Sequence, residues 1–297
     1  MDAVELFSGI GISAIGIVRA GHRLVGAVDC EQRFIDTLNA QTILPNVGIA
    51  GLVGEVRVPP AELVCAGPVC KAFSPGATLF GTAGAEDDRN TFPALLKHIR
   101  LHGPEHVLIE NSYGLRRFTG YVDELINTLG TYGYVVSFDE IDCYDFGVPQ
   151  HRRRVVFLCS KRKLWEVKTP SRRPLGPKTV GECLRMPAPE HDPWPLIKPV
   201  SAKGLDYFTR DPRHVKKHPP LQLDQPASTV VSVYRKGVPY GIVDYHGTLH
   251  HCGPRLAARL QGLPDDFDLS SMSKTSALES IGNGFPSQVV EYFLRGL

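Results

Sequence analysis

Through the first 160 residues, short β-rich runs alternate with stretches whose apolar positions recur every three or four residues. The runs Val4-Glu5-Leu6-Phe7, Arg23 to Asp29, Leu63-Val64-Cys65-Ala66, Val107-Leu108-Ile109, Tyr134-Val135-Val136 and Val155-Val156-Phe157-Leu158 have the length of buried strands. A helix follows the first run and ends near Gly21. Phe92, Leu95, Leu96 and Ile99 fall at i, i+3, i+4 and i+7, and Val122, Leu125, Ile126 and Leu129 repeat that spacing, so each set lines one face of a helix. Strands and helices in turn predict a parallel sheet covered by helices, an α/β fold.

The pattern breaks after about residue 165. Twelve of the 24 prolines lie between Pro170 and Pro226, so long regular elements are not expected there. The stretch reads as a small, loop-rich second domain inserted before the chain returns. The return begins at Leu256-Ala257-Ala258-Arg259-Leu260 and ends in a helix whose Val289, Val290, Phe293 and Leu294 would pack on the large domain. The expected division is 1–164, 165–250 and 251–297.

Charge sharpens that division. The net charge is only +2, yet residues 151–220 hold 17 Lys and Arg against 6 Asp and Glu, leaving 16 and 25 elsewhere. A basic segment on an acidic body suits a phosphate-binding surface, and equally a solvated face. No apolar run reaches the ~20 residues that span a bilayer, and no membrane association is expected. The acidic start Met1-Asp2-Ala3-Val4-Glu5 is no secretory signal. Seven irregularly spaced cysteines without a CxxC pair indicate reduced thiols in a cytoplasmic compartment. His246, His250, His251 and Cys252 fit no established zinc spacing, so no metal is expected.

Candidate chemistry gathers where strands end. Phe7-Ser8-Gly9-Ile10-Gly11 turns the first strand into the first helix, and its glycines would let backbone approach a ligand at the helix start. Asp29, with Cys30 after it, closes the second strand, where a carboxylate can accept bonds from a ribose. The same pattern suits a simple tight turn, and a nicotinamide site would want GxGxxG. Gly67-Pro68-Val69-Cys70 follows another strand; a cysteine there is a candidate nucleophile or an inert small hydrophobe. Glu110-Asn111 ends the strand at Val107–Ile109, so its acid could bond a heterocycle and lend it a proton, or Asn111 and Ser112 could cap a helix. Gln150, Arg152 and Arg154 alternate at period two, putting all three on one face of an extended segment and His151 and Arg153 on the other. Arginine forks in a row suit phosphate or a base carbonyl.

Taken in order, these pieces and a late Gly282-Asn283-Gly284 resemble the DNA cytosine-5 methyltransferase family over almost the whole chain. The most specific stretches are Asp145-Phe146-Gly147-Val148-Pro149-Gln150-His151-Arg152-Arg153-Arg154 and Ala258-Arg259-Leu260-Gln261-Gly262-Leu263-Pro264-Asp265-Asp266-Phe267. The resemblance implies a Rossmann-like sheet that binds S-adenosylmethionine, with a target-recognition domain over about 165–245. It implies that Phe7, Ser8, Gly9, Ile10, Gly11, Asp29, Cys30, Gly67, Asn283 and Gly284 line the cofactor pocket. Cys70 would attack carbon 6 of a flipped cytosine, Glu110 would bond ring nitrogen 3, and Arg152 and Arg154 would hold the flipped nucleotide. Leu223 to Val230 resembles the segment that closes the recognition region. Double-stranded DNA is the implied partner, with a cognate restriction endonuclease beside it. The protein itself is expected to be a monomer associated with the nucleoid of a bacterium or phage-infected cell.

Three features depart from the family. Its usual Pro-Cys-Gln is Val69-Cys70-Lys71 here, which should loosen the loop while adding a positive charge beside the thiol. No acid stands after the third strand, around Ile49-Ala50-Gly51-Leu52, to grip an adenine. The recognition region is short, which points to few base contacts. An RNA (tRNA) cytosine-5 methyltransferase and a catalytically silent nucleic-acid-binding homologue are the alternatives.

Overall fold

The computed structural model describes residues 1–69, 73, 89–190, 192–210, 219–232 and 241–297. Cys70 and Lys71 lie outside the described residues. Seven strands form one sheet: β1 Asp2–Leu6, β2 Arg23–Asp29, β3 Gly48–Ala50, β4 Leu63–Ala66, β5 His106–Ser112, β6 Val135–Asp142 and β7 Arg153–Ser160, in the order β3-β2-β1-β4-β5-β7-β6. β1 to β5 run parallel, so their carboxyl ends share one edge. β7 corrects the all-parallel expectation, since it runs antiparallel to β5 and β6. Apolar runs mark a strand as buried but carry no direction; a short connection from β6 folds β7 back between its neighbours. That reversal places Arg153 and Arg154, at the start of β7, on the edge where β5 delivers its carboxyl end at Ser112.

Both faces of the sheet are covered. Helices Phe92–His102 and Thr119–Thr131 lie on one core with β4, β5 and β7, burying Phe92, Leu95 and Ile99 and Val122, Leu125 and Leu129 as their spacing predicts. On the other face, helix Ile12–Arg19 is wedged against the sheet and helix Ser287–Leu294. Gly16 permits this. A Cβ there would fall 2.4 Å from the carbonyl oxygen of Ser287 and 2.7 Å from Val290 Cβ. Val289, Val290, Phe293 and Leu294 are buried in that contact.

The proline-rich stretch contains more regular structure than expected. Helix Val180–Arg185, a three-stranded sheet of β8 Ile197–Pro199, β9 Ile242–Tyr245 and β10 Thr248–Cys252, and helix Ala202–Arg210 all lie in or beside it. The last occupies the interval between Pro199 and Pro212, which holds no proline. The stretch is also less separate than its composition implies. Trp165 Nε1 donates to Phe293 O (3.2 Å), Val180 and Cys183 join the main core, and β10 runs two residues past the division placed at 250.

Arginines anchor it. Arg255 and Asp192 form a fully buried two-bond pair (2.6 and 2.8 Å), and Arg255 also donates to Phe267 O (2.7 Å). Arg259 donates to the carbonyls of Cys183 (2.9 Å), Met186 (2.8 Å) and Pro187 (2.5 Å), and pairs with Asp265. Among the described residues, no helix is long and apolar enough to cross a membrane.

Candidate active site

The turn after β1 is built from unusual backbone. Phe7, Gly9 and Gly11 have φ of 60°, 53° and 87°. For Phe7, a non-glycine residue, the left-handed conformation costs about 1–2 kcal/mol. Hydrogen bonds hold it: Ser8 N–H to Val28 O (2.9 Å), Gly9 N–H to Asp29 Oδ2 (2.8 Å) and Gly11 N–H to Ser8 O (2.9 Å). A side chain at Gly11 would also meet Leu44 Cδ1 at 2.9 Å. Ile10 is buried behind the turn, while Cys30 is exposed beside Asp29. Asp29 does more than wait for a ribose. Its second oxygen accepts from Glu31 N–H (3.0 Å), so the carboxylate braces the turn across two strands.

Helix Lys274–Asn283 brings the late Gly-Asn-Gly to this place. Gly284 sits so close to the first helix that a Cβ would lie 2.3 Å from Ile12 Cδ1, and Asn283 next to it is exposed. The turn at 7–11, Asp29 and Gly284 are therefore brought together around the start of the first helix. Two buried polar atoms here have no partner among the described residues, Ser8 Oγ and Glu5 Oε2. Burial pushes the Glu5 carboxyl up to about 8, with the Asp29 charge adding to the rise and bonds from Ser13 and the Ala14 N–H opposing it. Sequence reasoning passed over Glu5, although an acid inside a central apolar strand was the available signal. A cationic nucleoside donor fits this set: a carboxylate at Asp29 for hydroxyls, the start of helix Ile12–Arg19, and in the wall a buried acid with one oxygen, Oε2, left without a partner among the described residues. After β3, Gly51 and exposed Leu52 offer no acid.

Glu110 and Arg154 meet farther along the edge, with Arg154 Nε 2.7 Å from Glu110 Oε1 and both side chains mostly buried. Burial raises the Glu110 pKa above its ordinary value, and Arg154, then Arg152, pull it part of the way back. A Cβ on Gly67 would stand 3.6 Å from Glu110 Oε2, so the loop entering Cys70 starts against this acid. Asn111 is not a helix cap. Buried, it donates through Nδ2 to Pro68 O (2.9 Å), while Val69 N–H donates to Thr91 Oγ1 (2.8 Å).

The period-two row faces as expected. Gln150, Arg152 and Arg154 turn inward; His151 pairs with Asp142 (2.8 Å) and Arg153 with Glu140 (2.9 Å) on the outside. Only part of the row reaches the site. Arg152, 1% exposed, donates to the carbonyls of Val230 (2.8 Å), Gly282 (2.9 Å) and Gly284 (2.9 Å), and Gln150 donates to Leu260 O (2.8 Å) and accepts from Val230 N–H (2.9 Å). An arginine committed to three carbonyls ties the segment at Val230 to the Gly-Asn-Gly loop.

Residues 1–190 match the family of C-5 cytosine-specific DNA methylases. The chain belongs to that family. Relatives of this DNA methylase include the Type II methyltransferase M.NaeI of Lentzea aerocolonigenes, 30% identical over 98% of this chain and 73% of that protein. Another is the Type II methyltransferase M.NgoMIV of Neisseria gonorrhoeae, 26% identical over 97% and 94%. The fold is also that of the S. pombe Dnmt2 methyltransferase, with a TM-score of 0.76 at 17% identity over 100% of this chain and 98% of that one. A putative E. coli prophage DNA modification methyltransferase gives 0.71 at 20% identity over 100% and 98%.

Proposed function

We propose that this methylase transfers a methyl group from S-adenosylmethionine to carbon 5 of a cytosine flipped out of double-stranded DNA, with Cys70 as covalent nucleophile. The observation that carries the reading is the Glu110–Arg154 pair, buried at the carboxyl edge, with the loop from Gly67 to Cys70 beginning beside it. Carbon 5 of cytosine is too weak a nucleophile to take a methyl group unaided. Addition of the Cys70 thiolate to carbon 6 breaks the 5,6 double bond, and the electron pair shifts toward ring nitrogen 3. Glu110, whose raised proton affinity suits a donor, places its proton on that nitrogen, leaving an enamine whose carbon 5 is nucleophilic. The bound cofactor supplies an electrophilic methyl group. Nitrogen 3 then returns its proton to Glu110, a water molecule takes the proton from carbon 5, and the electron pair released restores the 5,6 double bond and expels the Cys70 thiolate. Arg154 holds the Glu110 carboxyl in place and faces the base.

Phe7 to Gly11, Asp29, Cys30, Gly67, Asn283 and Gly284 form the proposed cofactor pocket, with Glu5 and Ser8 in its wall. The region 165–250 is the proposed target-recognition unit, where exposed lysines and arginines meet phosphate. Its short length suits a short target word. The Type II names of the relatives support a role in restriction–modification beside a cognate endonuclease.

The test is trapping on duplex DNA containing 5-fluorocytosine, in parallel with the same base in RNA. A stable adduct with DNA is expected, lost in Cys70→Ser, with cofactor affinity unchanged within a few-fold. An adduct with RNA alone would overturn the substrate, and none with either would overturn the covalent route.

A further inference from the structure

The peptide unit joining Pro68 to Val69 is held at both ends: its carbonyl oxygen by Asn111 Nδ2 (2.9 Å) and its N–H by Thr91 Oγ1 (2.8 Å). It lies one residue before Cys70. Asn111 stands at the end of β5 next to Glu110, and Thr91 at the start of helix Phe92–His102, so the plane is fixed between two rigid elements.

Thr91 occupies the cap position of that helix, where a threonine hydroxyl ordinarily accepts from the helix's own first N–H groups. Here it makes no such bond. The neighbouring Asn90 takes the capping work, its Oδ1 accepting from Phe92 N–H (3.1 Å), while its amide nitrogen reaches the Tyr121 hydroxyl (2.9 Å). The Thr91 oxygen is thereby free for Val69. A valine at this position brings what a proline would not, a backbone N–H that needs a partner and a φ that must be fixed by other means.

We infer that Thr91 is a positioning residue for the nucleophile loop, its hydroxyl doing for Val69 what a pyrrolidine ring would do covalently. The inference rests on the Cys70 reading above and adds to it. With the hydroxyl in place, the plane cannot rotate and the chain leaves Val69 in one direction. Without it, the N–H is unsatisfied and the approach of the thiol to carbon 6 is spread over several geometries.

The decisive experiment is a double-mutant cycle on the full-length protein. The rate of adduct formation with 5-fluorocytosine DNA and the cofactor dissociation constant are measured for Thr91→Val, Thr91→Ser, Val69→Pro and Val69→Pro/Thr91→Val. Thr91→Val should slow adduct formation about ten-fold, one lost hydrogen bond at the nucleophile, with cofactor affinity unchanged. Thr91→Ser should stay within about two-fold. With proline at 69 there is no N–H to lose, so adding Thr91→Val should cost under about two-fold. A Thr91→Val rate equal to wild type, or an equal loss in the proline background, overturns the inference. Should Val69→Pro fail to fold, the contrast of Thr91→Ser with Thr91→Val decides. Should wild type form no adduct, the Cys70 reading fails separately, and hydrogen exchange at the Val69 amide decides the clamp: faster in Thr91→Val supports it, unchanged overturns it.

Discussion

The large sheet and the inserted region are held by different physics. In the sheet, β1 and β4 are buried along nearly their whole length, and apolar contact supplies most of the cohesion, at about 25 cal/mol per Å² removed from water. The inserted region has few such runs. It is tied down by guanidinium groups: Arg259 from the return helix Pro254–Leu260, Arg152 from just before β7, and Arg173, which reaches the carbonyls of Tyr144 (2.9 Å) and Pro177 (2.8 Å), donate to main-chain carbonyls, while Arg255 pairs with the Asp192 carboxylate. Apolar contact is tolerant of exchange. Hydrogen bonds to carbonyls depend on direction and so fix register instead.

The contrast can be broken most severely at Arg255. Arg255→Ala leaves the buried Asp192 carboxyl without its guanidinium, and should cost about 3–5 kcal/mol in urea unfolding followed by circular dichroism. A loss below about 1 kcal/mol would mean that apolar packing holds the insert as well. Arg152→Ala comes next, stranding three carbonyls and costing roughly 3 kcal/mol. Limited proteolysis should then cut near Val230 before it cuts the sheet.

Glu5 tests the sheet side. Folded, its carboxyl keeps its proton up to about pH 8, whereas in the unfolded chain it ionises near 4.5. Between those values the unfolded state holds fewer protons, so stability declines as pH climbs from about 4.5 to 8 and is then level. Glu5→Gln should match wild type at pH 4 and melt at a higher temperature at pH 9; equal curves at pH 9 would mean that folding does not raise the proton affinity of this carboxyl. The smallest effect belongs to Arg153→Ala on the outer face, whose exposed pair with Glu140 should leave the melting temperature unchanged.

Sequence and structure agree where periodicity decides the outcome. β2 and β4 occupy the residues their runs predict, and the alternation from Gln150 to Arg154 correctly sorts inward from outward side chains. Periodicity gives a face, not what waits on it. Arg152 finds its carbonyls 78 to 132 residues away, a distance at which no local pattern carries information. The reversed direction of β7 was hidden for the same reason, as was the helix Ala202–Arg210, masked by prolines that flank it. The loop before Cys70 was expected to be loosened by losing a proline; its described part is instead pinned by Thr91 and Asn111. That compensation lies in two elements the motif does not include.

The close seat of Gly16 on Ser287 and Val290 has a consequence for biosynthesis. The glycine turn leaves the ribosome some 270 residues before the helix that backs it. At a translation rate of ~5–20 residues per second, the first helix waits on the order of tens of seconds without its neighbour. During that wait Ile12, Ile15 and Ile17 have no helix 287–294 to cover them. The turn from Phe7 to Gly11 and the helix after it can therefore gain their backing only once residues 287–294 have been made and docked.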